Sequence, residues 1–376
     1  MDSLTQAALG AAVGTAVLGR RAGAKAAVWG AVLGTLPDLD VLLTHGDPVK
    51  DFTFHRAESH ALFYLTLVSP LLGWLLARLH RDVEATGRWI LLAWLALVTH
   101  ALLDAFTIYG TQLLLPFTDY PVGLGSVFII DPLYTVPLLA GVGIALALRR
   151  SRPGAAARAN AFGLLASTMY LGWSLAAQSH VEGVVHRALA ATPLEAGKVL
   201  ATPMPFNTLL WRVVVMDPSG YHEGFVSLLD DGDRVDLVRH ESRTDLLAPL
   251  GAEWNVQRLA WFSKGFYGVR LESAQVSTVV GSAGTMSQLL GAVPVAAAAA
   301  STPGENGERV VISDLRMGQT PFFAFSFVVG AVDGGEVVPT GSLQVPTRRP
   351  PVESLGWMWQ RIWRQDAGLP PGMTAG

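Results

Sequence analysis

Residues 61–79, ALFYLTLVSPLLGWLLARL, run for almost the length of a bilayer crossing with one charge, Arg78, near the end. Such a stretch folds as a helix, because lipid offers its backbone no other hydrogen-bond partner. Comparable apolar runs lie at about 4–18, 26–36, 89–108, 128–148 and 160–178. The sequence therefore predicts an α-helical membrane bundle of about six helices. The first two runs are short and rich in Ala and Gly, which suits tilted or tightly packed helices whose small residues let backbones approach. MDSLTQAALGAAVGTAVLGRR places its apolar run before its basic residues, so it reads as a retained helix rather than a signal peptide.

Composition agrees in bulk and divides the chain. The 376 residues are 51% hydrophobic and 15% charged, with a mean hydropathy of +0.37, more apolar than an ordinary soluble protein. The apolar residues crowd 1–180, whereas 201–376 has the Pro, Gly and mixed charge of a soluble domain. We expect a membrane-embedded helical domain over 1–180, a linker with helical character over 181–200, and a β-rich soluble domain over 201–376. In the last, NTLLWRVVVMDPSGYHEGFVSLLD alternates around a DPSG turn. Strand-like runs recur at KGFYGVRLESAQVSTVV, ERVVISDLRMG and FFAFSFVVGAVDGGEVV. ESLGWMWQRIWRQD predicts a short amphipathic C-terminal helix whose tryptophans serve the domain core or the membrane interface. Residues 288–308 predict a small helix followed by a loop.

Basic residues orient the bundle. Arg20, Arg21 and Lys25 separate the first two runs, Arg78, Arg81 and Arg88 the third and fourth, and Arg149, Arg150, Arg152 and Arg158 the last two. These turns are expected in the cytoplasm. The opposite ends, and with them the β-rich domain, are then extracytoplasmic. A net charge of -3 gives no global field for nucleic acid. The absence of cysteine removes disulfides, thiolate nucleophiles and Cys-zinc sites, so any metal must be held by His and carboxylates.

On this topology the unusual polar residues share the extracytoplasmic side. Asp2 starts the first helix and Asp38 and Asp40 end the second. His55, Arg56, Glu58 and His60 precede the third, His100 and Asp104 lie near the end of the fourth, and Asp131 opens the fifth. His100 and Asp104, spaced i, i+4, share a helix face and can present two ligands to one metal or let the acid orient the imidazole. Asp38 and Asp40 fall on one side if PDLD is extended. Ionisable groups inside apolar helices are expensive unless paired or wetted, which argues for a polar pocket. The donor set suits a divalent metal, zinc first, with manganese or iron if carboxylates dominate. An open coordination position would lower the pKa of a bound water toward about 7. Arg56 is then a candidate to hold an anionic group and Glu58 a candidate general base. Asp2 and Asp131 also read as plain helix caps.

MDSLTQAALGAAVG, GTLPDLDVL, FHRAESH, THALLDAFTIYGTQLLLPF and IIDPLYTVPLL together resemble, in order, the YdjM-like family of bacterial inner-membrane metal-dependent hydrolases. The resemblance covers roughly 1–180, and PFNTLLWRVVVMD, WFSKGFYGV and VISDLRMGQ resemble the extension of its longer members. It implies an inner-membrane location and a hydrolase. It matches His55, His60, His100 and Asp104 to the family's polar positions and Asp38 and Asp40 to its PDxD motif. Many members read MDxxTH where this chain has Gln6, which puts an amide in place of a possible ligand. Many read HRGxSH where it has Ala57.

The leading expectation is a multi-pass metal-dependent hydrolase of the bacterial inner membrane. Its substrate would be a membrane lipid or a lipid-linked ester or phosphoester at the extracytoplasmic face. The alternatives are a non-catalytic membrane protein with a metal or proton binding site, and a membrane-anchored scaffold for a periplasmic partner.

Overall fold

In the computed structural model, which describes residues 1–192, 194, 197–273 and 307–373, helices fill the first half and sheets the second. The chain forms two compact units. The first comprises Met1–Asp40, Arg56–His180 and Thr202–Leu209, the second Val41–His55, Val181–Ala201 and Leu210–Gly376.

The first unit begins with α1 (Ser3–Ala22), whose N-cap Asp2 accepts hydrogen bonds from the backbone N–H groups of Leu4 and Thr5. Gly23, at φ +60, ends α1 and lets α2 (Ala24–Thr35) double back. The two helices cross backbone to backbone: a Cβ at Gly10 would stand 2.1 Å from the Gly30 carbonyl oxygen, and one at Gly30 would stand 2.0 Å from that of Gly10. Only glycine fits at this crossing.

After a 3-10 helix over Pro37–Leu42 and the segment belonging to the second unit, another 3-10 turn, Glu58–His60, leads into α4 (Leu62–Leu79). α5 (Thr86–Ala105) packs against α4. α6 (Pro132–Leu148), capped by Asp131, and the 38-residue α7 (Pro153–Ala190) follow. Leu9, Val13, Leu138 and Val142 share a buried core between α1 and α6. Asn160 on α7 donates to the Ala12 carbonyl at 2.9 Å.

The expectation of about six spanning helices is corrected. Six main helices exist in this unit, but among the described residues only two segments, Leu62–Leu79 and Val83–Ala105, are long and apolar enough to cross a membrane. The 12 residues of α2 reach only about 18 Å, and the 17 of α6 about 26 Å, against a hydrocarbon core of about 30 Å. α1 dilutes its apolar residues with Thr5, Gln6, Thr15, Arg20 and Arg21, and α7 with Arg158, Asn160, Ser167, Ser174 and Gln178.

The second unit carries α8 (Trp254–Phe262) and two four-stranded sheets, ordered β1-β2-β3-β4 and β10-β9-β6-β5, with β1 over Val199–Pro203, β4 over Val238–Glu241, β5 over Tyr267–Ser273 and β6 over Glu308–Asp314, and a small pair of β7 (Gly318–Gln319) and β8 (Phe322–Phe323). β2 (Leu210–Asp217) and β3 (Gly220–Ser227) form a hairpin in which Asp217 opposes Gly220 across Pro218 and Ser219. β9 (Ser326–Asp333) and β10 (Glu336–Gln344) turn through Gly334 and Gly335, both at positive φ, the signature of a tight hairpin. Tyr221 and Val214 of the first sheet pack with Phe266, Leu315 and Phe323. α3 (Pro48–Phe54) belongs to this unit and sets Phe52 among Phe262, Phe325 and Phe327. α9 (Glu353–Trp363) buries Trp357 and Met358 and exposes Trp359 and Trp363. The helix and loop expected over 288–308 fall almost wholly outside the described residues, as does the strand-like run beyond Ser273.

One buried ion pair braces this unit. Arg212 on β2 donates from Nε to Glu223 on β3 at 2.6 Å and from Nη1 to the Leu315 carbonyl at 2.6 Å. The other Glu223 oxygen accepts from the hydroxyl and the N–H of Thr320.

Candidate metal centre

Four side chains of the first unit, Asp38, His60, His100 and Asp104, bring one ligand atom each within 4.8 Å of all the others. Asp38 comes from the 3-10 helix after α2, His60 from the turn before α4, and His100 and Asp104 from consecutive turns of α5. His60, His100 and Asp104 are buried, whereas the Asp38 side chain is 20% exposed and marks the side open to solvent.

The separations are close to those of ligands around one ion. His60 Nε2 lies 3.0 Å from His100 Nε2, 3.2 Å from Asp104 Oδ2 and 3.6 Å from Asp38 Oδ1. His100 Nε2 lies 3.5 Å from each of the same two oxygens. With metal–ligand bonds of roughly 2.0–2.2 Å, donor atoms on a tetrahedron stand about 3.3–3.6 Å apart.

The surroundings fix which atoms carry protons. His100 Nδ1 lies 2.6 Å from the Gly34 carbonyl oxygen, which only accepts, so that nitrogen is the protonated one. The Ser59 hydroxyl donates to Asp40 Oδ2 at 2.6 Å and therefore accepts from His60 Nδ1 at 2.8 Å. In the neutral state both Nε2 atoms then present bare lone pairs to each other and to two carboxylates. Asp104 Oδ2 is buried and receives no well-directed hydrogen bond. Acceptors converging on acceptors in a buried place fit a cation, and this chemistry, His and carboxylate without thiolate, fits a divalent metal.

Charges on the rim follow the same logic. Burial pushes the Asp38 carboxyl up, but the imidazoles of His100 and His60 outweigh it and hold the group well below the ordinary carboxylate range. Burial pulls His60 down, and hydrogen bonding to Asp104 and Asp38 raises it above the ordinary imidazole value.

The remaining residues singled out from sequence take distinct places. In the tight 3-10 turn two residues apart point in different directions. Asp40 therefore turns from the cluster that Asp38 faces and accepts from the Arg56 backbone N–H at 2.9 Å and from Ser59. This corrects the extended reading of PDLD. Arg56, buried and at φ +63, sets Nε 3.2 Å from Asp104 Oδ2 and Nη1 3.2 Å from Thr107 Oγ1, with its guanidinium over Tyr109. Gln6, fully buried, donates to Asp104 Oδ1 at 3.0 Å, as does the Met1 amino group. His55 closes α3 and is not one of the four converging residues. Glu58 is exposed at the start of its 3-10 turn. Asp2 and Asp131 cap α1 and α6, and Asp131 also accepts from the Tyr170 hydroxyl at 2.7 Å.

Sequence reasoning missed Ser59, Gly34, Thr107 and Tyr109. A serine directly before His60 offered a faint signal. The other three act through a fold that brings distant segments together, and a main-chain carbonyl leaves no mark on a sequence.

Comparison with known proteins places the helical half. Residues 1–181 match the YdjM inner membrane protein family. A relative from Bacillus subtilis (strain 168), described as uncharacterized protein YfhP, is 27% identical over 264 residues, covering 65% of this chain and 77% of its own. No solved structure matches. The helical unit, the membrane-length segments and the His/Asp cluster all lie within or beside the matched region: residues 1–181 are similar to the YdjM inner membrane protein family, and the β-rich part of the chain extends beyond the match.

Proposed function

We propose that this protein is a metal-dependent hydrolase of the inner membrane, acting at the extracytoplasmic face on a lipid or lipid-linked ester or phosphoester. The observation that carries the reading is the convergence of four His and Asp ligand atoms, three on wholly buried side chains and the fourth open to solvent. A divalent cation bound there would supply Lewis acidity to a water and to an ester oxygen. Zinc fits the donor set, and manganese or iron fits if more positions are filled by oxygen.

The chain's own residues perform the positioning. Ser59 and Asp40 orient His60, the Gly34 carbonyl orients His100, and Gln6 and Arg56 hold Asp104. Arg56 is thereby engaged by a carboxylate, and its electrostatic effect on an anionic substrate acts from the floor of the site. Glu58, exposed two residues before His60, is the candidate proton acceptor. Head-group depth is supported by Phe63, Tyr64 and Phe117, exposed aromatic residues of the kind enriched at membrane interfaces, two of them just after His60. The arginine-rich turns at the opposite helix ends support an extracytoplasmic orientation of the site.

The test is elemental mass spectrometry of the detergent-purified full chain, with hydrolysis of short-chain phospholipid and fluorogenic phosphoester substrates assayed with and without chelator. Near-stoichiometric metal and chelator-sensitive turnover are expected. No metal after reloading with zinc or manganese sinks the proposal. Retained metal without turnover assigns the centre to binding alone.

A further inference from the structure

At the far end of α1 from the metal centre lies a second polar site of opposite character. An open cavity of about 600 Å³ is lined by Arg20, Arg21, Arg149 and Arg150, with Gly23 and Gly154 on its rim. No acidic residue lines it. Gln6 and Arg20 are 14 positions apart on one helix, about 21 Å, so the two sites are separate.

The arginines arrive from two turns distant in sequence. One joins α1 to α2 and the other α6 to α7. The frame holding the turns side by side is rigid: α1 and α6 share a buried core, Asn160 ties α7 to α1, and Gly141 and Gly163 let α6 and α7 approach closely. The convergence is therefore built by packing and is not a chance meeting of long side chains.

The charges are unevenly answered. Arg21 reaches Asp82 at 2.6 Å and Glu84 at 3.3 Å. Arg149 donates to the Leu146 carbonyl. Arg20 and Arg150 form no ion pair with a described residue. α2 and α7 start at this end with no acid in their first turns, which adds the positive ends of two helix dipoles. Glycines at the rim leave room for a group to approach the guanidiniums. Clustered guanidiniums repel one another until an anion joins them, and the planar fork of arginine matches a phosphate.

We propose that this cavity binds a phosphate group, the chemistry carried by an anionic phospholipid headgroup or by a free phosphate anion. Native mass spectrometry of the detergent-purified full chain, offered phosphatidylglycerol or phosphatidylcholine, reads the lipid source. Thermal stabilisation by inorganic phosphate in lipid-free detergent reads the free source.

Each arginine near a membrane surface contributes about fivefold to anionic-lipid binding. Arg20→Gln/Arg150→Gln should therefore lower the preference for phosphatidylglycerol by about 25-fold. Arg234→Gln/Arg364→Gln, the same charge change at exposed positions of the β-rich unit, should leave it within about twofold. Arg20→Lys/Arg150→Lys keeps the charge and should retain most of the preference, which guards against loss through misfolding. Phosphate stabilisation that vanishes in the glutamine variant, without lipid preference, names the free anion as the ligand. If neither lipid preference nor phosphate stabilisation differs between wild type and the glutamine variant, the proposal is overturned.

Discussion

Two of the places where the molecule buries charged groups are built on opposite principles. In the β-rich unit every hydrogen bond of the Arg212–Glu223 pair sets a donor against an acceptor and each Glu223 oxygen is served, with Arg212 Nη2 alone left without an acceptor. In the helical unit the neighbours of His60 and His100 consume their Nδ1 protons and leave two imidazole lone pairs facing each other and two carboxylates. The first arrangement matches opposite charges and explains itself as structure. The second turns acceptors toward acceptors and has the donor set to hold a cation. Both are buried and both hold hydrogen bonds of similar length, so the polarity of each contact is what separates a brace from a candidate binding site.

Removing ligands should produce the largest effect. His60→Ala and His100→Ala should each reduce bound metal in the purified chain to background by elemental mass spectrometry, while Glu223→Gln leaves it unchanged. Equal metal in all three would erase the distinction between the clusters.

Breaking the brace comes next. Glu223→Ala leaves Arg212 buried without its carboxylate, and thermal unfolding should report a loss of about 3–5 kcal/mol in the β-rich unit. Replacing both members, Arg212→Met with Glu223→Leu, should cost less than either single change.

The outer residues should act more gently. Ser59→Ala and Asp40→Asn release His60 Nδ1 without touching a ligand atom, and metal affinity measured by competition with a chelator should fall about 10–100-fold. Asp40→Asn failing to weaken binding would separate Asp40 from the centre.

Protons should compete at the same place. His60 is raised above its ordinary value in the metal-free site, so its protonated form contributes stability present at low pH and lost as pH rises through that value. Metal must displace this proton, so chelator competition should show weaker binding as pH falls through the same range. A flat profile would mean that His60 is not a ligand. The smallest change is expected from Glu58→Gln, which should leave metal content within about twofold and lower only turnover.

Much of this was legible in the chain. The i, i+4 spacing of His100 and Asp104, the HRAESH turn and the alternating runs of the second half mark local periodicities that a sequence displays directly. What it hid depends on dihedral choice or on distant partners. PDLD does not reveal whether it is extended or a 3-10 turn, and only the turn divides Asp38 from Asp40. Apolar runs in α2 and α6 announce helices, but length decides whether they cross a bilayer. Gln6 reads as a departure from the family pattern until α1, crossed by α2 and packed against α5, carries it to Asp104.

That crossing has a consequence for how the protein can change. Ser59, Asp40 and Gln6 can each be altered by one codon without moving the backbone. The atom that sets the tautomer of His100 is the Gly34 carbonyl oxygen, which every amino acid possesses. A side chain at Gly34 would meet the Gln6 carbonyl oxygen at 2.7 Å and the Gly10 Cα at 3.1 Å. No substitution there edits the hydrogen bond alone, since any added side chain pries the two helices apart. This part of the centre is inherited with the fold, and variation that retunes the site must enter through the partners of His60 and Asp104.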